Sequence, residues 1–297
     1  MKQFIKELAK FSGIVLLCFL SLEIPIQVNY KHQIAASADW QCLKGINADI
    51  LIVGNSRVES GFDPVLIEKE TGLSCFVLAQ TGWQSALLRR KLERYLEENT
   101  APSFVVVQAD PIHLASRSDW YAKSNFLKYL FLDREGLFET MSVYQGFHWY
   151  EFFIPFVRYQ GVPGRYIRDA FNLPMELDKT KGYKANKGVF RNEPVPVDGM
   201  GLDYDKIQFL SEFFEQAPLA DGIAVFPLVS RHLYPKINDI PALTQFCQEK
   251  GIAFLNCNND IKNKPDSIFS NHTHANYLGA KLQTELLISS INALQLP

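Results

Sequence analysis

The sequence predicts an α/β protein in which a parallel sheet carries helices on both faces. Short runs that are almost wholly apolar alternate with stretches of helical periodicity. The first run ends in a glycine-containing turn. Strands buried on both faces lose the apolar–polar alternation of a half-exposed strand and become continuous apolar runs. Strand and helix taken in turn imply right-handed crossovers and therefore parallel strands.

The elements follow in order. The predicted strands are Asp49 to Val53 (DILIV), Ser74 to Leu78 (SCFVL), Phe104 to Val107 (FVVV), Ile223 to Phe226 (IAVF) and Ile252 to Leu255 (IAFL). Between them, apolar residues at three- and four-residue spacing predict helices over Pro64 to Thr71, Gln84 to Asn99, Asp205 to Gln216, Ile240 to Lys250 and Tyr277 to Leu294. Residues 112–200 break the rhythm. They carry Trp120, Tyr121, Phe126, Tyr129, Phe131, Phe147, Trp149, Tyr150, Phe152, Phe153 and Phe156, then a Gly/Lys/Pro-rich stretch. This reads as an insertion, serving either as a substrate cap or docking surface or as a small helical subdomain with an aromatic core.

Ahead of the strands, Lys2, Lys6 and Lys10 precede the apolar stretch Phe11 to Leu22, which Glu23 and Pro25 interrupt. A positive flank before an apolar run stays in the cytoplasm and sends the following chain across the membrane. No small-residue cleavage pattern follows, so residues 1–28 are expected to be an uncleaved membrane anchor, with a cleaved signal or a buried first helix as alternatives. Residues 29–47 would connect it to a domain over 48–297, which would be extracytoplasmic.

Totals narrow the function. The 297 residues are 47% hydrophobic and 21% charged with a formal charge of −2, which lacks the basic excess of a nucleic-acid binder. The five cysteines, Cys18, Cys42, Cys75, Cys247 and Cys257, form no CxxC pair or zinc spacing and read as packing residues; a Cys42–Cys75 bridge stays open. No phosphate-binding glycine loop or metal-ligand cluster is visible, so neither cofactor nor metal is expected.

Two segments carry chemistry. Val53-Gly54-Asn55-Ser56-Arg57 places Ser56 just past the first strand's C-terminal end, where α/β folds build their sites. Backbone N–H groups at such a turn can stabilise an oxyanion, and the bland alternative is a helix cap. Asn271-His272-Thr273-His274 leads into the last helix, and a serine hydroxyl needs a base such as histidine within reach. His274 is the candidate base, whereas His272 reads as a solvent-facing loop residue.

Taken together, GNSR near the start, Gln80-Thr81-Gly82 after the second strand and the Asn271-to-His274 segment before Asn276 and Gly279-Ala280 resemble the SGNH, or GDSL-type, hydrolases. The resemblance implies a flavodoxin-like three-layer α/β/α sandwich, with Ser56 as nucleophile, His274 as base, and the Ser56 and Gly82 N–H groups as oxyanion donors. Gly54 to Pro64 more particularly resembles single-anchor bacterial members that partner membrane-bound O-acyltransferases in acylating cell-surface polysaccharides. The implied partners are thus an acylated glycan, the membrane and such an acyltransferase.

This chain departs from the family's pattern twice. Asn271 stands where the family has an Asp three residues before the His; its carbonyl oxygen can orient the imidazole but not balance an imidazolium's charge, with Asp266 as the alternative third member. After the third strand, where the family places an oxyanion-binding Asn, the chain has Gln108-Ala109-Asp110-Pro111. Gln108 could donate to the oxyanion if it points at the site, while Asp110 would repel it or simply form a turn. Arg57 and Asp110 are candidate substrate-binding residues; for Arg57 the alternative is surface pairing with Glu59.

Overall fold

The computed structural model describes residues 1–35, 43–82, 85–115, 134–153, 180–191, 193–195, 201–216 and 221–294. The chain divides into two compact units, Met1–Cys42 with Trp120–Met175, and Leu43–Asp119 with Glu176–Pro297. The second holds the sheet.

Its five strands are β1 (Ile50–Asn55), β2 (Cys75–Gln80), β3 (Phe104–Gln108), β4 (Asp221–Phe226) and β5 (Ala253–Asn256). All neighbours pair in parallel, in the order β2-β1-β3-β4-β5. This is the flavodoxin-like order, and its direction reverses between β1 and β3. Ile50, Leu51, Ile52 and Val53 are all fully buried, as are Phe104, Val105 and Val106, so the continuous apolar runs reflect a sheet covered on both faces.

The expected helices form within a residue or two of their predicted limits, and their ends explain why. In α3 (Pro64–Thr71), the Asp63 side chain accepts from Val65 N and Leu66 N, Pro64 stands in the first turn, and Gly72 closes the helix at φ 75°. Helix α4 (Ser85–Glu98) turns Leu87, Leu88, Leu92 and Tyr95 inward. Asn276 caps α9 (Tyr277–Ala293), whose Ala280, Leu287 and Ile291 are buried, while Gly279 lies where a Cβ would stand 2.5 Å from Ile268 O. The remaining helices of this unit are α2 (Ser56–Glu59), α7 (Tyr204–Gln216) and α8 (Ile240–Glu249).

β2 is an edge strand, and an open edge invites pairing with another chain. Residues 180–184 cover part of it: Val77 N donates to Lys181 O at 3.0 Å, and Lys184 N donates to Glu59 O at 2.8 Å. The approach requires Gly182, at φ 84° and so close to Val77 that a Cβ would stand 2.1 Å from its carbonyl oxygen.

In the other unit, α1 (Lys2–Ala35) is long and apolar enough over Lys2–Pro25 to cross a membrane by length and composition. It runs past Val28 into the stretch read as connector. Helices α5 (Arg134–Ser142) and α6 (Trp149–Phe153) belong to the aromatic-rich segment; Leu137, Met141 and Tyr144 are buried, Phe138 meets Phe147 edge-on, and Trp149 is exposed. Trp120, Tyr121, Phe126, Tyr129, Phe131, Phe156 and Cys42 lie outside the described residues. Cys75, Cys247 and Cys257 are free, buried thiols.

Candidate active site

β1 pairs with β3 only as far as Val53 opposite Val107, whereas its pairing with β2 continues to Asn55 opposite Gln80. Beyond Val53 the backbones of β1 and β3 part, which opens the crevice that a reversal of strand order creates. The Gln108 side chain bridges the gap, its Oε1 accepting from Asn55 N at 2.8 Å. Gly54 makes room for it. A Cβ there would stand 2.6 Å from Gln108 Oε1 and 2.4 Å from Val58 Cγ2.

Asn55 then caps α2, its Oδ1 accepting from Arg57 N at 3.0 Å. Ser56 is the first residue of that turn, so its N–H has no intrahelical acceptor. The strand register sets Ser56 level with Thr81, one residue before Gly82, which adopts φ 77°. Thr81 is tied back to α2 because its hydroxyl donates to Glu59 Oε2 at 2.5 Å, while Lys184 Nζ holds Glu59 Oε1 at 2.6 Å.

His274 arrives from the opposite end of the sequence. Gln283 of α9 donates to Gly61 O and accepts from Leu228 N at 2.9 Å, and Asp63 N donates to Thr284 Oγ1 at 3.0 Å. These bonds clamp α9 to α2, α3 and the end of β4. The loop before α9 closes on itself through Ser270 N to His274 O at 3.0 Å and Asn276 N to Ile268 O at 2.9 Å. The result is a Ser56 Oγ to His274 Nε2 distance of 2.9 Å across 218 residues of sequence.

The other ring nitrogen identifies the third member. Asn271 Oδ1 stands 3.1 Å from His274 Nδ1 and accepts from the backbone N–H groups of Thr273 and His274, each at 2.9 Å. Backbone N–H groups only donate, so the oxygen of this amide must face the ring. Nδ1 therefore carries the proton and Nε2 the lone pair that faces Ser56. Thr273 Oγ1 is a second partner of Nδ1 at 2.9 Å. Asp266 is engaged elsewhere, with Arg231 Nη2 at 3.1 Å and His232 Nε2 at 3.2 Å. Burial first, and the Arg57 charge second, pull the His274 pKa down to about 4. The imidazole is neutral at ordinary pH.

Three expectations need correction. Arg57 is no surface partner of Glu59 and no free substrate ligand: it is buried, with Nη1 2.7 Å from Asp110 Oδ1, Nη2 donating to Pro227 O at 3.1 Å, and the guanidinium over the Phe226 ring. The Nη1 contact is an ion pair without hydrogen-bond alignment, and Nε has no acceptor among the described residues. Asp110 is fully buried, so it forms both a turn, accepting from Ile112 N and His113 N, and Arg57's counter-ion. Burial would raise its carboxyl pKa, but Arg57, His113 and the Gln108 amide outweigh burial and hold it below the usual range. Gln108 Nε2 donates to Asp110 Oδ2 at 2.7 Å, so one of its two N–H groups is spent bracing the strand ends rather than held for an oxyanion.

His272 also differs. Rather than facing solvent it is buried, with Nε2 donating to Glu193 O at 2.8 Å and Nδ1 accepting from Ser230 Oγ at 2.8 Å; Ser230 N in turn donates to His272 O at 2.9 Å. Both ring nitrogens are spent, so this second serine–histidine pair is a latch joining the end of β4 to the His274 loop. The residues that reading the sequence missed are Thr273, Glu59, Lys184, Ser230 and His113, whose Nδ1 accepts from Asn55 Nδ2 at 3.2 Å. Their only signal was nearness in sequence to the two motifs, or none.

No family model matches the chain, and no curated protein does. Among solved structures it is similar to a Streptococcus pneumonia protein provisionally described as a platelet activating factor, at 13% identity and TM-score 0.43, covering 95% of this chain and 99% of that one. A Slackia heliotrinireducens protein provisionally assigned as an SGNH hydrolase follows, at 12% identity and TM-score 0.42, covering 82% and 97%. A carbohydrate acetylesterase family member from Sinorhizobium meliloti has 12% identity, TM-score 0.35 and coverage of 82% and 97%. Likenesses this distant carry no inference about reaction or substrate. In sheet order, in the serine after β1 and in the histidine before the last helix, the chain has the architecture that its resemblance to the SGNH hydrolases implied.

Proposed function

We propose that this chain is a membrane-anchored serine esterase or O-acyltransferase acting on acyl esters of a cell-surface polysaccharide. The observation that carries the reading is the 2.9 Å contact of Ser56 Oγ with the unprotonated nitrogen of a histidine whose tautomer Asn271 fixes. His274 Nε2 takes the hydroxyl proton as Oγ attacks the acyl carbonyl. The Ser56 and Gly82 N–H groups receive the oxyanion. On collapse, His274 returns the proton to the departing sugar oxygen and leaves an acyl-Ser56 ester. Water or another sugar hydroxyl then repeats the steps in reverse, and which of them enters decides hydrolysis or transfer.

The anchor reading is supported by α1, on which Phe11, Ile14, Leu16 and Leu17 all remain more than half exposed. Such a surface calls for an apolar medium. With Lys2, Lys6 and Lys10 retained inside, the sheet-bearing unit lies outside the cytoplasm.

Asn271 favours a second reading. Without a carboxylate against the imidazolium, the chain would act as a weakly active binding or assembly subunit for a membrane-bound O-acyltransferase. Full-length protein in detergent, treated with a fluorophosphonate and with p-nitrophenyl acetate beside Ser56→Ala and His274→Ala, tests both. Labelling and turnover that vanish in the two variants support the enzyme; labelling independent of Ser56, or none between pH 5 and 9 (roughly the span over which the base is neutral), sinks it.

A further inference from the structure

A pocket of about 670 Å³ opens beside the His274 loop, lined by Asp63, Leu66, Tyr183, Ala185, Lys187, Tyr277 and Lys281. Tyr277 follows His274 by three residues, a separation the backbone cannot stretch beyond about 11 Å. The 180–191 segment supplies Tyr183, Ala185 and Lys187 to the lining and is pinned to the loop by Tyr277 N donating to Asn186 O at 2.8 Å and Asn186 Nδ2 donating to Ser270 Oγ at 2.7 Å. The pocket and the catalytic loop therefore share one framework.

Its chemistry is specific. Tyr277 is half exposed, and with Leu66 and Ala185 it supplies an apolar surface of the kind that the C–H faces of a sugar ring cover. Two cations frame it. Lys281 has its nearest acid, Glu285, at 3.9 Å, and among the described residues no carboxylate lies within ion-pairing distance of Lys187. The one acid in the lining, Asp63, has its Oδ1 occupied by Val65 N at 3.0 Å and Leu66 N at 3.3 Å as the α3 cap. Burial, and then Asp63, push the Tyr183 phenol up to about 12, so it stays a hydrogen-bond donor. The two lysines thus outnumber the single Asp63 carboxylate among the charges that line it, and Tyr183 adds a donor.

We propose that this pocket is a subsite for an acidic glycan, in which Tyr277 stacks on a sugar ring and Lys187 and Lys281 receive carboxylate or phosphate groups on the strand. The inference rests on the polysaccharide reading above and sharpens it: the polymer presented to Ser56 is polyanionic. It makes Tyr277, Lys187 and Lys281 binding residues with no part in the bond-making steps.

The test uses full-length Ser56→Ala protein in detergent, so that binding is read without turnover, with calorimetric titration of three probes of equal length. These are an oligogalacturonate, a phosphorylated maltooligosaccharide and the unmodified maltooligosaccharide. At least one charged probe is expected to bind more tightly than the neutral one, with affinity falling as salt rises. Adding Lys187→Gln and Lys281→Gln together is expected to cost that probe roughly tenfold, since exposed charge contacts are individually modest. Adding Tyr277→Ala is expected to weaken charged and neutral probes alike. Whichever charged probe wins identifies the anionic group. Equal affinity for all three probes, no binding of any, or charged binding indifferent to the lysine changes would overturn the proposal. The outcomes separate from those of the function itself: anionic binding without Ser56-dependent labelling leaves a glycan-binding assembly subunit, and labelling without anionic binding leaves an esterase for other esters.

Discussion

Replacing Asn271 by Asp should make this chain a faster enzyme. The Asn271 oxygen already faces His274 Nδ1 at 3.1 Å and already accepts two backbone N–H bonds, so a carboxylate would enter a cradle that stabilises it. A full negative charge about 4 Å from the centre of an imidazolium is worth about 4 kcal/mol at an effective dielectric of about 20. Desolvation of the new carboxylate removes part of this. A net gain of about 1.4 to 2.7 kcal/mol in the transition state corresponds to a kcat roughly ten- to a hundredfold higher. The same charge stabilises protonated His274, so the acid limb of the pH–rate profile should move upward by about one to two pH units, each unit corresponding to about 1.36 kcal/mol. The assay is p-nitrophenyl acetate turnover from pH 3.5 to 9, a window of about three units either side of the histidine's unperturbed value, with Asn271→Ala as the variant that removes the acceptor and loses rate. Equal or lower kcat in a normally folded Asn271→Asp protein, or an unmoved limb, would refute the reasoning. An inert natural chain that gains turnover on the Asn271→Asp change would be assigned to the assembly reading.

In the unaltered chain, burial and then Arg57 hold the His274 pKa at about 4, so kcat/KM should stay level on acidification and fall only near that value; a limb between about 6 and 7, the ordinary histidine range, would contradict this. Because that pKa is depressed on folding, its stability contribution is complete above the unfolded value of about 6.5 and is lost as pH falls toward 4. Arg57→Ala strands the buried Asp110 carboxylate and should cost about 3 to 5 kcal/mol in denaturant unfolding, while Arg57→Met with Asp110→Leu should recover much of it. Gly54→Ala drives a Cβ into Val58 and Gln108 Oε1, displacing the turn that carries Ser56; kcat should drop at least roughly tenfold, a loss of about 1.4 kcal/mol, with KM little changed, and unaltered kinetics would show that the turn tolerates a side chain. Ser230→Ala leaves His272 Nδ1 buried without its donor, so it should lower stability by about 1 to 3 kcal/mol and lower kcat more than KM, whereas a normal kcat would make the latch irrelevant to His274.

The sheet was legible in the sequence because burial on both faces erases alternation, and runs such as Phe104–Val107 carry no other pattern. Ser56 and His274 were legible jointly, from the place of one after the first strand and of the other before the last helix together with the resemblance of both segments to the SGNH hydrolases, and not from either turn alone. Pairings that depend on which strand ends meet in space were not. Arg57 looks like a surface cation beside Glu59 in sequence, yet the β2-β1-β3 order carries it across to Asp110 at the end of β3 and Pro227 beyond β4. His272 and His274 stand two positions apart and serve opposite tasks, because the tight loop closing at Ser270 and Asn276 turns one inward to Ser230 and the other to Ser56.

The same network explains how a site without an acid in its third position keeps its base competent. Burial first, and the permanent positive charge of Arg57 second, discourage a positive charge on the His274 imidazole. Asp110, the counter-ion of Arg57, is held in place by Gln108, Ile112 and His113. The ground-state histidine is thereby kept unprotonated, which favours proton removal from Ser56 in population. The transition state is correspondingly less favoured, since the imidazolium must form beside Arg57 with only an amide oxygen and a hydroxyl at Nδ1. Readiness and driving force are thus set against each other by the burial of His274 and the charge of Arg57 in the GNSR turn. On the esterase reading, a slow enzyme that remains poised in acid follows from that opposition, and so does the expectation that a carboxylate at position 271 relieves it.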